Sequence, residues 1–155
     1  RRSGRSTGGW GMRRQVKVRP AGPEDVDEVV ELLDEWFPCP EGGDRRKTAV
    51  QAVEDDRHEV LVAEVDGKVV GILEWALLHE IHEGSDTAII LSLYVAKSHR
   101  RMGVGEALVR EAVRRAKERG AVEIHVCVER TNESALNLYR KCGFGGDYVC
   151  LEMEL

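Results

Sequence analysis

Ala88-Ile89-Ile90-Leu91-Ser92-Leu93-Tyr94-Val95-Ala96 leads, after three polar residues, into Arg100-Arg101-Met102-Gly103-Val104-Gly105. The first run is of strand length and apolar on both faces, which predicts a central strand. From Gly105 the period changes to 3.6: Leu108, Val109, Ala112, Val113 and Ala116 share one face, with Arg110, Glu111, Arg114 and Arg115 opposite. Strand, glycine turn and amphipathic helix in that order make an anion site physically reasonable. Backbone N–H groups of the turn converge, the helix N-terminus adds partial positive charge, and Arg100 and Arg101 add more. Gly103 and Gly105 would let a ligand approach the backbone closely. The pattern alone fits a tight turn with exposed arginines equally well.

Working outward, Asp66-Gly67 between apolar runs predicts a hairpin joining strands at Val60–Val65 and Lys68–Leu78. Val16 and Val18 mark a short first strand. Pro23 suits the first position of a helix carrying Val26, Val29, Val30, Leu33, Trp36 and Phe37 on one face. Pro38-Cys39-Pro40 stops it, and Asp44 is placed to cap a second helix ending near Val53. After the central helix, Gly120 is a stop signal, Val122–Val128 reads as a buried strand, and Asn132 opens a helix with Ala135, Leu136, Tyr139 and Cys142 on one side. Residues 147–155 read as a closing strand. The sum is an α/β (α+β) domain over residues 15–155, a mixed sheet covered by helices.

The net charge is −5, but residues 1–14 hold five arginines and no acid. Taking those five from the 23 basic side chains leaves 18 against 28 acidic ones in the rest of the chain. Such an acidic body disfavours nucleic acid and favours cationic ligands. The basic tail is expected to be a disordered extension outside the domain. No run approaches the roughly 20 apolar residues of a membrane span. Cys39, Cys127, Cys142 and Cys150 lack CxxC spacing, which suits reduced thiols and a cytoplasmic protein. His79 and His82 stand three apart without a helical frame, so no metal is expected. A homodimer is compatible with all of this.

Two signatures carry a resemblance to the GNAT N-acetyltransferase superfamily. One is Leu93-Tyr94-Val95 followed by Arg100-x-x-Gly103-x-Gly105; the other is Asn132-x-x-Ala135-x-x-x-Tyr139-x-x-x-Gly143-Phe144. The resemblance spans residues 16–155 and is densest from Leu91 to Phe144. It implies a mostly antiparallel mixed sheet with about four helices, its strands splayed at the cofactor. It also implies acetyl transfer from acetyl-CoA to a primary amine, small or peptidic, by direct attack in a ternary complex. Arg100, Arg101, Met102, Gly103, Val104 and Gly105 would grip the pyrophosphate. Leu93, Tyr94 and Val95 would flank the pantetheine arm, with the N–H near Leu93 polarising the thioester carbonyl. Asn132 would bond the arm, although it also suits a helix cap. Tyr139 would be the general acid to the leaving thiolate.

The general base departs from the pattern. Where some members carry a glutamate at the start of the central strand, this chain has Ile89. Candidates are Glu74, His79, Glu80, His82, Glu83 and Glu129; Glu80 is taken as base or as the end of a water relay. Glu41, Asp44, Glu80, Glu83 and Asp86 would form acidic rims that favour a polycation. The alternative from another class is a non-catalytic acyl-CoA sensor, which would need neither Tyr139 nor a base.

Overall fold

A computed structural model describes residues 15–155; the basic tail, 1–14, lies outside the described residues. Five strands, β1 (Lys17–Pro20), β2 (His58–Val65), β3 (Lys68–Glu80), β4 (Ser85–Val95) and β5 (Ala121–Val126), form one sheet in sequential order. All neighbours are antiparallel except β4 and β5, which run parallel. The parallel pair follows from its connection, since α3 (Val104–Glu118) carries the chain back between them.

The hairpin is where Asp66-Gly67 put it, with Val65 paired to Lys68 and both turn residues at positive φ, 52° and 77°. That is the geometry whose twist matches two-residue hairpins. Helices α1 (Val26–Trp36) and α2 (Arg45–Glu54) precede β2, and α1 is entered through a short 3-10 turn at Pro23–Asp25. Asp44 caps α2 by accepting from the Lys47 N–H at 2.9 Å. Helix α4 (Glu133–Lys141) follows β5.

Strand alternation assigns the faces. Ile72, Glu74 and Ser92 point toward α1 and α2, with which they share a cavity. Gly71 faces the opposite way, against Val104 and Leu108 of α3. Val26, Val29 and Leu32 seal the first layer; Val104, Leu108, Val109, Ala112 and Ala116 seal the second. No helix among the described residues is long and apolar enough to cross a membrane.

Two expectations fail. Residues 147–155 form no strand: they alternate in the right way but join no backbone ladder among the described residues, touching the rest through side chains such as Asp147 to Arg140, and Val149, Leu151, Met153 and Leu155 are exposed. Alternation specifies a face, whereas a strand also needs a neighbouring backbone. Strand β5 is likewise not buried; it is the sheet's last strand, and Val122 is 56% exposed.

Candidate active site

The β4–β5 ladder stops at Ile90↔Val126, while the β3–β4 ladder runs on to Gly71↔Val95. From Leu91 onward β4 therefore has, among the described residues, a neighbour on one side only, and the ladder between the two parallel strands parts. The register explains where. Glu74 pairs with Ser92 but Trp75 pairs with Ile90, so Leu91 is an extra residue, a β-bulge at the mouth of the gap. Beyond it the backbone directions are fixed by parity. Ala96 N–H donates to Val70 O at 2.8 Å, toward β3. Tyr94 shares that direction, and the N–H and C=O groups of Leu93 and Val95 face the gap. The Val95 carbonyl accepts there from Arg100 Nε at 3.3 Å. The Tyr94 side chain turns to the α1 face, donating to Glu35 at 2.9 Å and stacking on Trp36 at 5.2 Å.

The turn after β4 is built to leave donors open. Arg101 and Gly103 both sit at positive φ, 62° and 79°, and Gly103 is the N-cap of α3. The first helical backbone bond is Ala107 N–H to Gly103 O. Among the described residues no carbonyl accepts from the N–H groups of Arg101 to Glu106. Concentrated unsatisfied donors at a helix N-terminus attract an anion. A Cβ at Gly105 would lie 3.2 Å from Leu138 of α4, so this glycine also favours close helix–helix approach, a reason that the sequence did not suggest. Val104 is buried against the sheet, whereas Met102 is 40% exposed at the turn's rim.

On α4, Asn132 caps the helix, its Oδ1 accepting from Ala135 N–H at 3.1 Å; that leaves its amide hydrogens uncommitted. Tyr139 is buried, with its ring edge-on to Phe144 at 5.3 Å. Desolvation pushes its phenol up to about 12, with a smaller contribution from Cys142. Among the described residues its hydroxyl makes no hydrogen bond, and it is not one of the fully enclosed unsatisfied polar atoms, so the tip of this buried ring is open.

The α1–α2 face holds what the motifs did not single out. A cavity of about 280 Å³ lies between the two helices and the sheet, walled by Val26, Val29, Leu33, Trp36 and Phe37, with Glu74 and Ser92 on its floor. Ser92 donates to Glu74 Oε2 at 2.5 Å, and His58 Nε2 stands 3.2 Å from Oε1. Contact with His58, and then Ser92, holds the carboxyl below the usual carboxylate range against the opposing effect of burial. Glu74 sits directly across from the bulge, beside the parting strands. A signal for it was present: it is the single charged residue between Lys68 and His79. A lone carboxylate inside an apolar strand has to be paid for by its partners or its use.

Glu80 is placed elsewhere. It is six residues farther along β3, about 20 Å at strand rise, at the closed end of the β3–β4 hairpin, and accepts from Thr87 at 2.5 Å. The structure does not bring it to the gap. Asp86 is held there by His79 at 2.7 Å and Arg57 at 3.1 Å, and Glu83 lies 3.7 Å from His82. Among the described residues no cluster of three metal-ligating side chains occurs.

An open strand edge, a donor-rich turn and a buried phenol now lie along one strand–turn–helix–strand–helix unit. An extended amide-bearing arm ending in a pyrophosphate fits the first two. Residues 26–144 match the sequence model of the Acetyltransferase (GNAT) family. The chain belongs to the GNAT acetyltransferase family. It is 30% identical to an N-alpha-acetyltransferase of Sulfurisphaera tokodaii over 142 residues, which covers 84% of this chain and 81% of that protein. It is 25% identical to the spermidine N(1)-acetyltransferase of Escherichia coli K12, covering 83% and 72%. Its fold matches a ribosomal-protein-alanine N-acetyltransferase from Brucella melitensis biovar Abortus 2308 with TM-score 0.76, 23% identity and coverage of 91% and 99%. As a GNAT enzyme it transfers the acetyl group of acetyl-CoA to an amine.

Proposed function

We propose that this GNAT acetyltransferase acetylates the α-amino group of a peptide or other amine carrying an apolar substituent, with Glu74 as the proton acceptor. The observation that carries this reading is the single carboxylate on the floor of an apolar cavity beside the bulge. The apolar walls suit a hydrophobic first side chain and offer a polycation little. Three of the five rim carboxylates expected to draw such a cation already have close partners: Asp44 caps α2, Glu80 holds Thr87, and Asp86 holds His79 and Arg57, while Glu83 lies 3.7 Å from His82.

Base strength points the same way. A carboxylate held below its usual range is a poor match for a lysine amine, whose pKa is about 10.4. An α-amine, at about 7.7–8.0, is already partly neutral near pH 7 and asks less of its base. The spermidine and N-alpha relatives mark two kinds of acceptor among similar proteins, and the cavity favours the second.

Each residue then has one task. Acetyl-CoA supplies the activated acyl group. The turn from Arg101 to Glu106 binds the pyrophosphate, and the Leu93 and Val95 backbone aligns the arm. The Leu93 N–H meets the thioester oxygen, where a fixed donor is most effective as negative charge develops. Glu74 receives the amine proton. Tyr139 steadies the departing thiolate. With its phenol raised, it acts as a hydrogen-bond donor that gives up its proton late.

Thiol release would be compared for a peptide with a free apolar N-terminus, the same peptide N-blocked with a free lysine, spermidine, and no amine. The free α-amine should be best, with kcat/KM rising through its own pKa. Glu74→Gln should lower kcat by about 10²-fold or more while the thermal shift with CoA persists. A blocked peptide or spermidine as best acceptor, or a Glu74→Gln enzyme at full rate, would overturn the reading.

A further inference from the structure

The amine proton cannot stay on Glu74, and the cavity that receives the amine offers, among the described residues, little to pass it to: Ser92 already donates to Glu74, Asp44 is a helix cap, Arg45 pairs with Asp34, and Cys39 is a thiol on an exposed loop. On the far side of Glu74 stands His58, the first residue of β2. Its backbone N–H donates to Asp55 O at 3.2 Å, and it pairs with Ala76, which sets the ring diagonally beside Glu74. Nε2 is buried, 3.2 Å from Glu74 Oε1, yet is not aligned as a hydrogen bond and has no other partner among the described residues. A buried ring nitrogen left unsatisfied costs stability and calls for an explanation. The same side chain, 21% exposed, lines a second cavity of about 240 Å³ with Asp55, Asp56, Glu59 and Arg119. This cavity is polar where the first is apolar, and lies at the end of α2 and α3.

We propose that His58 is the proton outlet of the active site, carrying the proton from Glu74 into this second cavity. The proposal rests on Glu74 being the acceptor. The amine N–H bond breaks and a Glu74 O–H forms. That proton passes to Nε2 of neutral His58, giving an imidazolium, and the other ring nitrogen releases one to water in the second cavity. That release leaves the transferred proton on Nε2; a swing of the ring carries Nε2–H to the same water, which takes that proton while Nδ1 regains one, so the starting tautomer returns, one proton in all has left Glu74 and no electron has moved. Of the groups facing this cavity, Asp55 is turned to the Arg57 N–H, Glu59 is taken by Arg115 and Trp75, and the Asp56 carbonyl accepts from Arg119. Among these, His58 alone reaches both Glu74 and the second cavity. It touches neither amine nor thioester and is a positioning and relay residue.

The test uses the whole chain with acetyl-CoA and its best amine. His58→Gln keeps a polar side chain that cannot carry a proton; His58→Ala opens space that free imidazole can enter from the second cavity. Both should lower kcat by 10-fold to 100-fold, leave KM for acetyl-CoA and the CoA thermal shift unchanged, and remove one ionisation from the pH profile. Imidazole should restore His58→Ala by several-fold, following the fraction of imidazole that is neutral, and should leave Glu74→Gln inactive. Wild-type rates in both variants would overturn the outlet, as would a loss that imidazole does not repair. Should Glu74→Gln retain full rate, the base assignment itself fails and the outlet falls with it. Should Glu74→Gln be inactive while both His58 variants turn over normally, only the outlet falls.

Discussion

At the scale of single residues, Tyr139 shows how burial decides chemistry. A phenol raised to about 12 is fully protonated at neutral pH, as a donor to a leaving thiolate must be. It is also a reluctant acid, so in the proposed role its contribution would be a hydrogen bond that strengthens as charge builds on sulfur. Tyr139→Phe should therefore reduce kcat by about 10²-fold, with KM for acetyl-CoA little changed and the rate still pH-independent of any group near 12 below pH 10. Because the hydroxyl has no partner among the described residues, the substitution should not lower the melting temperature. Turnover at the wild-type rate would reduce Tyr139 to a core aromatic packed on Phe144. Helix periodicity made the position of Tyr139 legible, whereas its role is what the family resemblance implies. That of Glu74 was legible only as one name among several. What ranks Glu74 is a cross-strand fact, the bulge opposite it, and no local spacing encodes that.

Elements were legible to the extent that their causes are local. The Asp66-Gly67 hairpin, the Asp44 cap and the Gly120 stop each depend on a few adjacent residues, and each stands where it was expected. The parting of β4 from β5 and the unpaired state of residues 147–155 depend on which backbones meet, so hydrophobic alternation is silent about them. The entry to α1 is a further non-local device. Asp25 is buried, accepts from Gly22 N–H at 2.8 Å, and receives two bonds from Arg19 at 2.7 and 2.8 Å; Arg19 in turn reaches Glu64 on β2. Asp25 thus ties the first turn of α1 to the sheet edge. Arg19 holds its carboxyl below the ordinary value, which is about 3.9. A depressed carboxylate stabilises the fold above that ordinary value, and the benefit fades as pH falls through the lower folded one. Asp25→Asn should cost about 2 kcal/mol at pH 7, measured by urea unfolding, and the gap from wild type should shrink below about pH 4. An equal gap at pH 7 and pH 3 would mean that the amide's geometry, rather than the charge, is at fault.

For the whole molecule the question is how an acidic body binds a polyanionic cofactor. The excess of carboxylates is spread over the surface, and their field is screened beyond about 8 Å at physiological salt. In the proposed site the turn would act at contact distance through backbone donors that no pH change removes, with Arg100 and Arg101 beside them. Arg100 is anchored over the Tyr94 ring at 5.7 Å, so its charge is held near the gap instead of wandering. Binding should therefore be strong despite the net charge. CoA at 100 times its dissociation constant should add about 2.7 kcal/mol, which for a domain of this size raises the melting temperature by about 5–10 °C. Gly103→Val isolates the cause. Nothing lies within 4 Å of a Cβ at that position, so the substitution creates no internal clash. It forces a β-branched residue into the left-handed region at φ 79°, which costs about 1–2 kcal/mol or more, and the backbone can relieve that strain by turning its N–H groups away from the anion. The apo melting temperature should fall by a few degrees, about what that strain implies, and the CoA shift should largely vanish, while Tyr139→Phe and Glu74→Gln keep it. A full shift in Gly103→Val would place the anchor of the cofactor outside this turn.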